Sequence, residues 1–297
     1  MEGHKVSDIQ NDRIKDTSNL LDQKDHMRDM ERVSMEIIAL HQPFRSVTRV
    51  VGRIQTETPD AWCIPNLALR IEVEPPQNPT PDTRPITRIY TVRSFDPETQ
   101  VLEIDFVRHK DNSPAMRWLN SITPGALVSM IGPRTHFVPP FTAGKQAALF
   151  ADDTAIPAVY AILNAWPAGV KGAVWIDTDT PAACDELPAV DGVEIHLLQR
   201  SSTTRAGTAN ALFTAATTAL PDPAGWTLWA AGERQEMRRI RNHFFARGMA
   251  REDLQILGYW RAGTSSSELD RMRLAQYEQL RAQNKTLEDL NDADLPI

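Results

Sequence analysis

The sequence predicts two domains, an N-terminal antiparallel β-barrel followed by an α/β domain built on a parallel sheet. Three observations carry that expectation. At 297 residues with 41% hydrophobic content, the chain is too large for one typical compact unit and apolar enough to fill two modest cores. Between residues 46 and 139, short runs with β-branched residues are separated by turns rich in Pro and Asp. Beyond Phe141, strand-like and helix-like patterns alternate, as they do where crossover helices link parallel strands.

Taken in order, residues 1 to about 40 mix charges of both signs with sparse apolar side chains (Ile14, Leu20, Leu21, Met27, Met30), the pattern of a frayed or weakly amphipathic helix. A polar extension is expected over 1–42 and the barrel over 43–141. Its strands are expected at 47–54, 68–73, 86–92, 101–107 and 126–131, with Pro75-Pro76-Gln77-Asn78-Pro79 marking one connection. The α/β domain is expected over 142–263, with strands at 146–150, 172–177, 193–198, 226–231 and 254–257 and a helix over 156–166. In the 264–297 tail, Ser265 stands three residues before Glu268 in a capping-box pattern. Leu269, Met272, Tyr277 and Leu280 follow at helical spacing, so the tail opens on a helix.

Composition removes several function classes. A net charge of -7 with a pI near 5.5 argues against a nucleic-acid binder or a protein held on anionic membranes. No run of about 18 apolar residues is present and the start lacks a basic stretch before an apolar core, so a cytoplasmic protein without membrane insertion is expected. Cys63 and Cys184 are far apart and fit no metal-ligand spacing; both read as reduced thiols.

The chemistry-bearing stretches begin with Arg88-Ile89-Tyr90-Thr91-Val92-Arg93, on a strand whose alternate side chains face opposite ways. One strand thus offers an aromatic face, a hydroxyl donor and a cation, the three things a flavin ring and its phosphates need. The same hexapeptide reads equally as core Tyr90 and Val92 between solvated arginines. Next come Glu103-Ile104-Asp105-Phe106-Val107-Arg108-His109, Ser113-Pro114-Ala115-Met116-Arg117-Trp118 and Gly132-Pro133-Arg134. In the second domain, Asp152-Asp153-Thr154-Ala155-Ile156-Pro157-Ala158 and Ala230-Ala231-Gly232-Glu233 sit at strand-to-helix turns, where parallel sheets place their ligands. Taken alone they are ordinary junctions, with Asp152 and Asp153 in turn or capping roles rather than as an acid–base pair. Gly258-Tyr259-Trp260-Arg261-Ala262-Gly263 closes the series, its aromatics readable either as core or as a ligand face. His109 and His136 lack metal-ligand spacing, and Ser201-Ser202-Thr203-Thr204 has no base beside it.

In this order the motifs resemble the siderophore-interacting proteins, flavoenzymes related in layout to the ferredoxin-reductase class. The resemblance implies FAD as cofactor, with Arg88, Tyr90 and Thr91 along the flavin and Asp105, Phe106, Val107 and His109 bordering it. It further implies that the helix start at Pro114 and Ala115 receives the pyrophosphate, that Thr154 and Ala155 face the cofactor, and that Tyr259 or Trp260 lies against the ring. A helix N-terminus suits a pyrophosphate because its first amides have no internal acceptor. The family's basic cluster for an anionic chelate maps to Arg70 and Arg134, with Gln255 standing where a third base is usual and Arg261 as a substitute. Ser113 and Met116 also depart from the pattern, which has a glycine and a small hydroxyl residue there.

The implied activity is reduction of a ferric siderophore from Fe(III) to Fe(II), which weakens ligation by hard oxygen donors and frees the iron. No acid–base residue and no protein metal ligand is implied. The strand ends lack G-x-G-x-x-G, so NADH or NADPH would be a transient visitor and a ferredoxin is an alternative donor. A non-redox siderophore- or partner-binding module and a general flavin or quinone reductase remain as alternatives on the same scaffold.

Overall fold

The structure is a computed structural model, described here for residues 30–76, 83, 85–109, 111–265, 267–269, 271, 272 and 275. Its first domain is a closed antiparallel barrel of β1 (Glu31–Phe44), β2 (Val47–Ile54), β3 (Leu67–Glu74), β4 (Ile86–Asp96), β5 (Val101–Val107) and β6 (Leu127–Thr135). The spatial order is β1-β2-β5-β4-β3-β6. A short helix, α1 (Pro59–Trp62), follows β2, and α2 (Pro114–Ser121) joins β5 to β6.

The expected helix over the first 40 residues is corrected from Glu31 onward, where the chain is strand β1 and the barrel begins. Val33, Met35 and Ile37 are buried while Arg32, Ser34 and Glu36 are exposed, a period of two that only a strand satisfies. The charged partners between the apolar residues disguise that alternation. Ile14, Leu20, Leu21 and Met27 lie outside the described residues. Closure of β1 onto β2 demands a glycine at Gly52, where a Cβ would lie 2.4 Å from the Met35 side chain.

The second domain is a parallel sheet of β7 (Gln146–Asp152), β8 (Gly172–Thr178), β9 (Val193–Gln199), β10 (Trp226–Glu233) and β11 (Leu254–Trp260) in the order β11-β10-β7-β8-β9. Its helices are α3 (Ile156–Asn164), α4 (Ala182–Asp185), α5 (Ala211–Ala219) and α6 (Arg234–Ala246). β7, β10 and β8 are apolar along their length because both faces are covered. One face packs under α3 with Val174, Ile176, Trp229 and Leu257; on the other, Phe150 and Leu228 pack with Leu212 of α5 and with Ile240 and Phe244 of α6. After the sheet, the Ser265 hydroxyl accepts the Glu268 amide at 3.2 Å, as the capping-box pattern requires. Tyr277 and Leu280 lie outside the described residues. Among the described residues, no helix is long and apolar enough to cross a membrane.

Two polar networks join the domains. In the first, Arg49 on β2 grips Asp105 on β5 through both carboxylate oxygens, at 2.6 and 3.0 Å. Arg49 also reaches Glu186, beyond α4, at 2.6 Å, and Arg93 on β4 donates to Glu186 at 2.8 Å and to Asp105 at 3.3 Å. The Arg93 guanidinium lies 3.7 Å from the ring centroid of Tyr160 on α3. In the second, the Tyr259 hydroxyl meets Asn66 Oδ1 at 3.2 Å, and Asn66 Nδ2 donates to the Phe137 carbonyl at 2.6 Å. Trp229 Nε1 donates to the same carbonyl at 2.9 Å, so one linker oxygen is held from both domains.

Removing one partner of a buried ion pair costs more than the pair contributes, because the remaining charge stays desolvated. Glu186→Ala should therefore lower the unfolding free energy by roughly 1–3 kcal/mol, less than for a fully buried partner because Glu186 is partly solvated. Glu98→Ala, on the exposed β4–β5 turn, should stay within about 0.5 kcal/mol in the same urea titration.

Candidate functional site

The ends of β7, β10 and β11 converge, and one buried carboxylate organises them. Asp152 closes β7 with its Oδ1 accepting the Thr154 amide at 2.9 Å and the Thr154 hydroxyl at 2.5 Å. Its Oδ2 accepts the Trp260 indole N–H at 2.7 Å. β10 runs between β7 and β11, so the indole must cross its end, and Gly232 stands there. Glu233 caps α6, accepting the Gln235 and Glu236 amides at 2.7 and 2.9 Å, while its other oxygen accepts Ala262 N–H at 3.1 Å. The three motifs of the second domain thus meet in one cluster. Asp153 points elsewhere, to Arg200, which also pairs with Asp177 at 3.0 Å.

Neighbouring side chains on β11 alternate, so Trp260 serves the strand ends and Tyr259 faces the barrel. The Tyr259 hydroxyl donates to Asn66 Oδ1 and lies beside the Thr91 side chain of β4, and burial pushes its pKa up. On the opposite face of β4, Tyr90 packs on Phe106 with ring centroids 4.0 Å apart, and Phe106 packs on Trp118 of α2 at 5.3 Å. Burial raises the Tyr90 hydroxyl as well. Arg88, on the Tyr90 face, is half-buried and donates to Ser267 Oγ at 2.5 Å, which ties β4 to the start of the C-terminal segment.

The sequence-singled residues divide into those left available and those already engaged. Phe106 is fully buried in the barrel core, so its segment can border a ligand through half-buried Val107 and exposed Arg108 and His109, with Arg108 tied to Thr48 and Asn120. The Asp105 carboxylate is taken up by Arg49 and Arg93. Ala155 is also fully buried, whereas Thr154 is half-buried. Pro114 opens α2 with Ala115 buried behind it, and the Met116 sulfur accepts the His109 amide at 3.3 Å. Asp111 accepts the Ser113 amide at 3.1 Å beside that helix start.

Arg70 and Arg134 lie on adjacent strands of the barrel wall, where Arg70 pairs with Ile131 and Arg134 with Ala68. Arg70 donates to Thr87 Oγ1 at 3.2 Å, Arg134 is exposed, and Arg261 follows β11 half-buried. Gln255 pairs with Trp229 in the first half of β11, distant along the strand from Trp260. Sequence reasoning missed Asn66 and Glu186, and its solvated reading of Arg93 is corrected: the side chain is buried, paired with Asp105 and Glu186. Only Asn66 carried a signal, since it adopts a φ of 58°, a conformation that Asn tolerates better than most residues.

A closed antiparallel barrel joined to a five-stranded parallel sheet, with aromatic and polar motifs facing each other across the seam, is the layout of ferredoxin-reductase-like flavoproteins. Comparison with known proteins narrows this class. The siderophore-interacting FAD-binding domain matches residues 54–137 and the siderophore-interacting protein family matches residues 144–263. The ferric acinetobactin reductase of Acinetobacter baumannii is 43% identical over 278 residues, covering 93% of this chain and 95% of that protein. The solved structure of the siderophore-interacting protein from A. baumannii has a TM-score of 0.79 at 43% identity, covering 86% of this chain and all of that one. A siderophore utilization protein from T. fusca has a TM-score of 0.63 at 27% identity over 80% of this chain and 96% of its own. The chain belongs to the siderophore-interacting protein family of FAD-binding ferric-siderophore reductases.

Burial, opposed by the bonds from Thr154 and Trp260, raises the Asp152 carboxyl from 3.8 to about 6. Between those values the folded chain holds a proton that the unfolded chain has released, so this group's contribution to stability falls as pH rises through the window. Asp152→Asn removes the titration. The difference in unfolding free energy, variant minus wild type, should therefore climb between about pH 4 and pH 6.5 in parallel urea titrations and level off above that.

Proposed function

We propose that this protein reduces a ferric siderophore, Fe(III) to Fe(II), with FAD as electron carrier and NAD(P)H or a ferredoxin as donor, releasing iron in the cytoplasm. The observation that carries this reading is the meeting of Tyr259 with Thr91 and Asn66, which sets the C-terminal signature against the barrel strand bearing Arg88 and Tyr90. The 43% identity to a ferric acinetobactin reductase over nearly the whole chain supports the same reaction class.

The donor set fits FAD. α2 begins after extended Ser113 with Pro114 at its first turn, so the Ala115 and Met116 amides have no acceptor within the helix and match a diphosphate. Arg88 adds a cation, Tyr90 a half-buried aromatic edge, and Thr154 a hydroxyl at the end of β7. Met116 adds no hydroxyl, and Asp111 places a competing carboxylate beside the helix start. Grip on the phosphates therefore rests on backbone amides and Arg88. When bound, FAD would supply the redox chemistry, accepting an electron pair and passing electrons singly to iron.

The chain's own part is to hold, orient and shield. Asp105 and Arg93 keep β5 and β4 docked on the second domain, and Tyr259 fixes the depth of the seam. Arg70 and Arg134 supply positive charge for an anionic chelate, with half-buried Arg261 following β11 as a further cation. The iron needs no protein ligand, because one added electron lowers its charge and loosens its oxygen donors.

The purified protein should be yellow and its visible absorbance should bleach anaerobically with NADH, NADPH or reduced ferredoxin, then recover on adding ferric siderophore while Fe(II) is trapped by a chelator. The donor that bleaches it identifies itself. A protein that binds ferric siderophore but takes up no FAD would overturn the reductase reading in favour of a binding module.

A further inference from the structure

The Trp260 indole is confined from three sides. On one, its N–H meets Asp152 at 2.7 Å across the end of β10. Beneath that crossing stands Gly232, where a Cβ would lie 2.6 Å from Asp152 Oδ2. At the ring edge is Gly207, whose φ is 71° and where a Cβ would lie 3.1 Å from the Trp260 ring and 2.6 Å from the Glu233 side chain. Any side chain at either glycine would displace the carboxylate or the indole. The groups addressing Asp152 are the Thr154 amide, the Thr154 hydroxyl and the Trp260 indole, and an ionised carboxylate accepts from all of them at once.

We propose that Asp152 is a positioning residue: its ionised carboxylate fixes the Trp260 indole across the end of β10, beside the Tyr259 that contacts the barrel, and so shapes the strand-end face of the site. The contact itself is independent of the reductase reading; its effect on turnover rests on that reading. Burial raises the Asp152 carboxyl to about 6, so mild acidification turns one of its two acceptor oxygens into a donor, and the amide of Thr154 and the indole N–H no longer each have a full acceptor. The charged and titratable groups around it are Asp153 beside it, Glu233 next to Gly232 on β10, Glu236 on α6 and Tyr259 on β11. Of these, Asp153 acts to raise the carboxyl further.

The test compares wild type, Asp152→Asn and Trp260→Phe by tryptophan emission and near-UV circular dichroism from pH 4.5 to 8, first without flavin. Subtracting the Trp260→Phe signal isolates Trp260. Wild type should show a transition near pH 6, and Asp152→Asn should show none, because a neutral amide cannot titrate and cannot accept from both Thr154 and Trp260 at full strength. In the proteins saturated with FAD, both variants should lose roughly tenfold in kcat for ferric-siderophore reduction, the scale expected when a group near the reacting centre shifts slightly. An Asp152→Asn spectrum indistinguishable from wild type across the pH range overturns the positioning role. Unchanged kcat in both variants overturns its consequence for turnover. Should Asp152→Asn fail to fold, Trp260→Phe, which keeps the carboxylate, still decides whether the pH transition belongs to Trp260. Failure of wild type to take up FAD sinks the reductase reading instead and leaves the flavin-free titration to decide the positioning role.

Discussion

Arg93 is 3% exposed, and a guanidinium cannot shed its charge at any physiological pH, so its burial must be compensated by fixed anions. The two carboxylates that compensate it come from different domains: Asp105 from the barrel and Glu186 from beyond α4. Arg49 shares both of them, and Tyr160 of α3 offers its ring face to the same guanidinium. The cluster balances only when barrel and sheet are docked. Everything at the seam, from the bond of Tyr259 to Asn66 to the approach of α3 to β4, presupposes that docking.

A second constraint acts at the strand ends. Parallel strands deliver their C-terminal residues to one edge, and side chains there compete for little space. The chain meets this with glycine at Gly232 and Gly207, which admits a carboxylate and an indole into positions that any Cβ would claim. The result is an acidic, tightly packed edge in which Asp153 and Asp177 are spoken for by Arg200 and Glu233 is spoken for by α6. Cationic character lies instead on the barrel wall, on Arg70 and Arg134.

Motif order carried the family, and strand patterning carried most of the architecture. β2 and β5 run as their alternation predicts, because each has one face in the barrel core and one outside it. β1 was illegible as a strand, since charged residues between Val33, Met35 and Ile37 imitate a solvated helix until the partner strands are known. The D-F-V-x-H segment shows the limit of motif reading: its aspartate and phenylalanine serve the domain seam and the barrel core through their side chains, and Val107, Arg108 and His109 stay near open surface. The turn role expected for Asp152 is present in its bond to Thr154, yet that role hid a longer-range one.

The sequence by itself determined the two-domain order, the sheet types and the family, because periodicity and local motifs are properties of neighbouring residues. The tertiary structure alone decided the partnerships across sequence distance: Asp152 with Trp260, Asp105 with Arg49, Arg93 with Glu186, Tyr259 with Asn66. Each joins residues on different strands or in different domains. Their distances depend on strand order and domain docking, which no local pattern encodes, and burial of their charges becomes tolerable only once those partners have met.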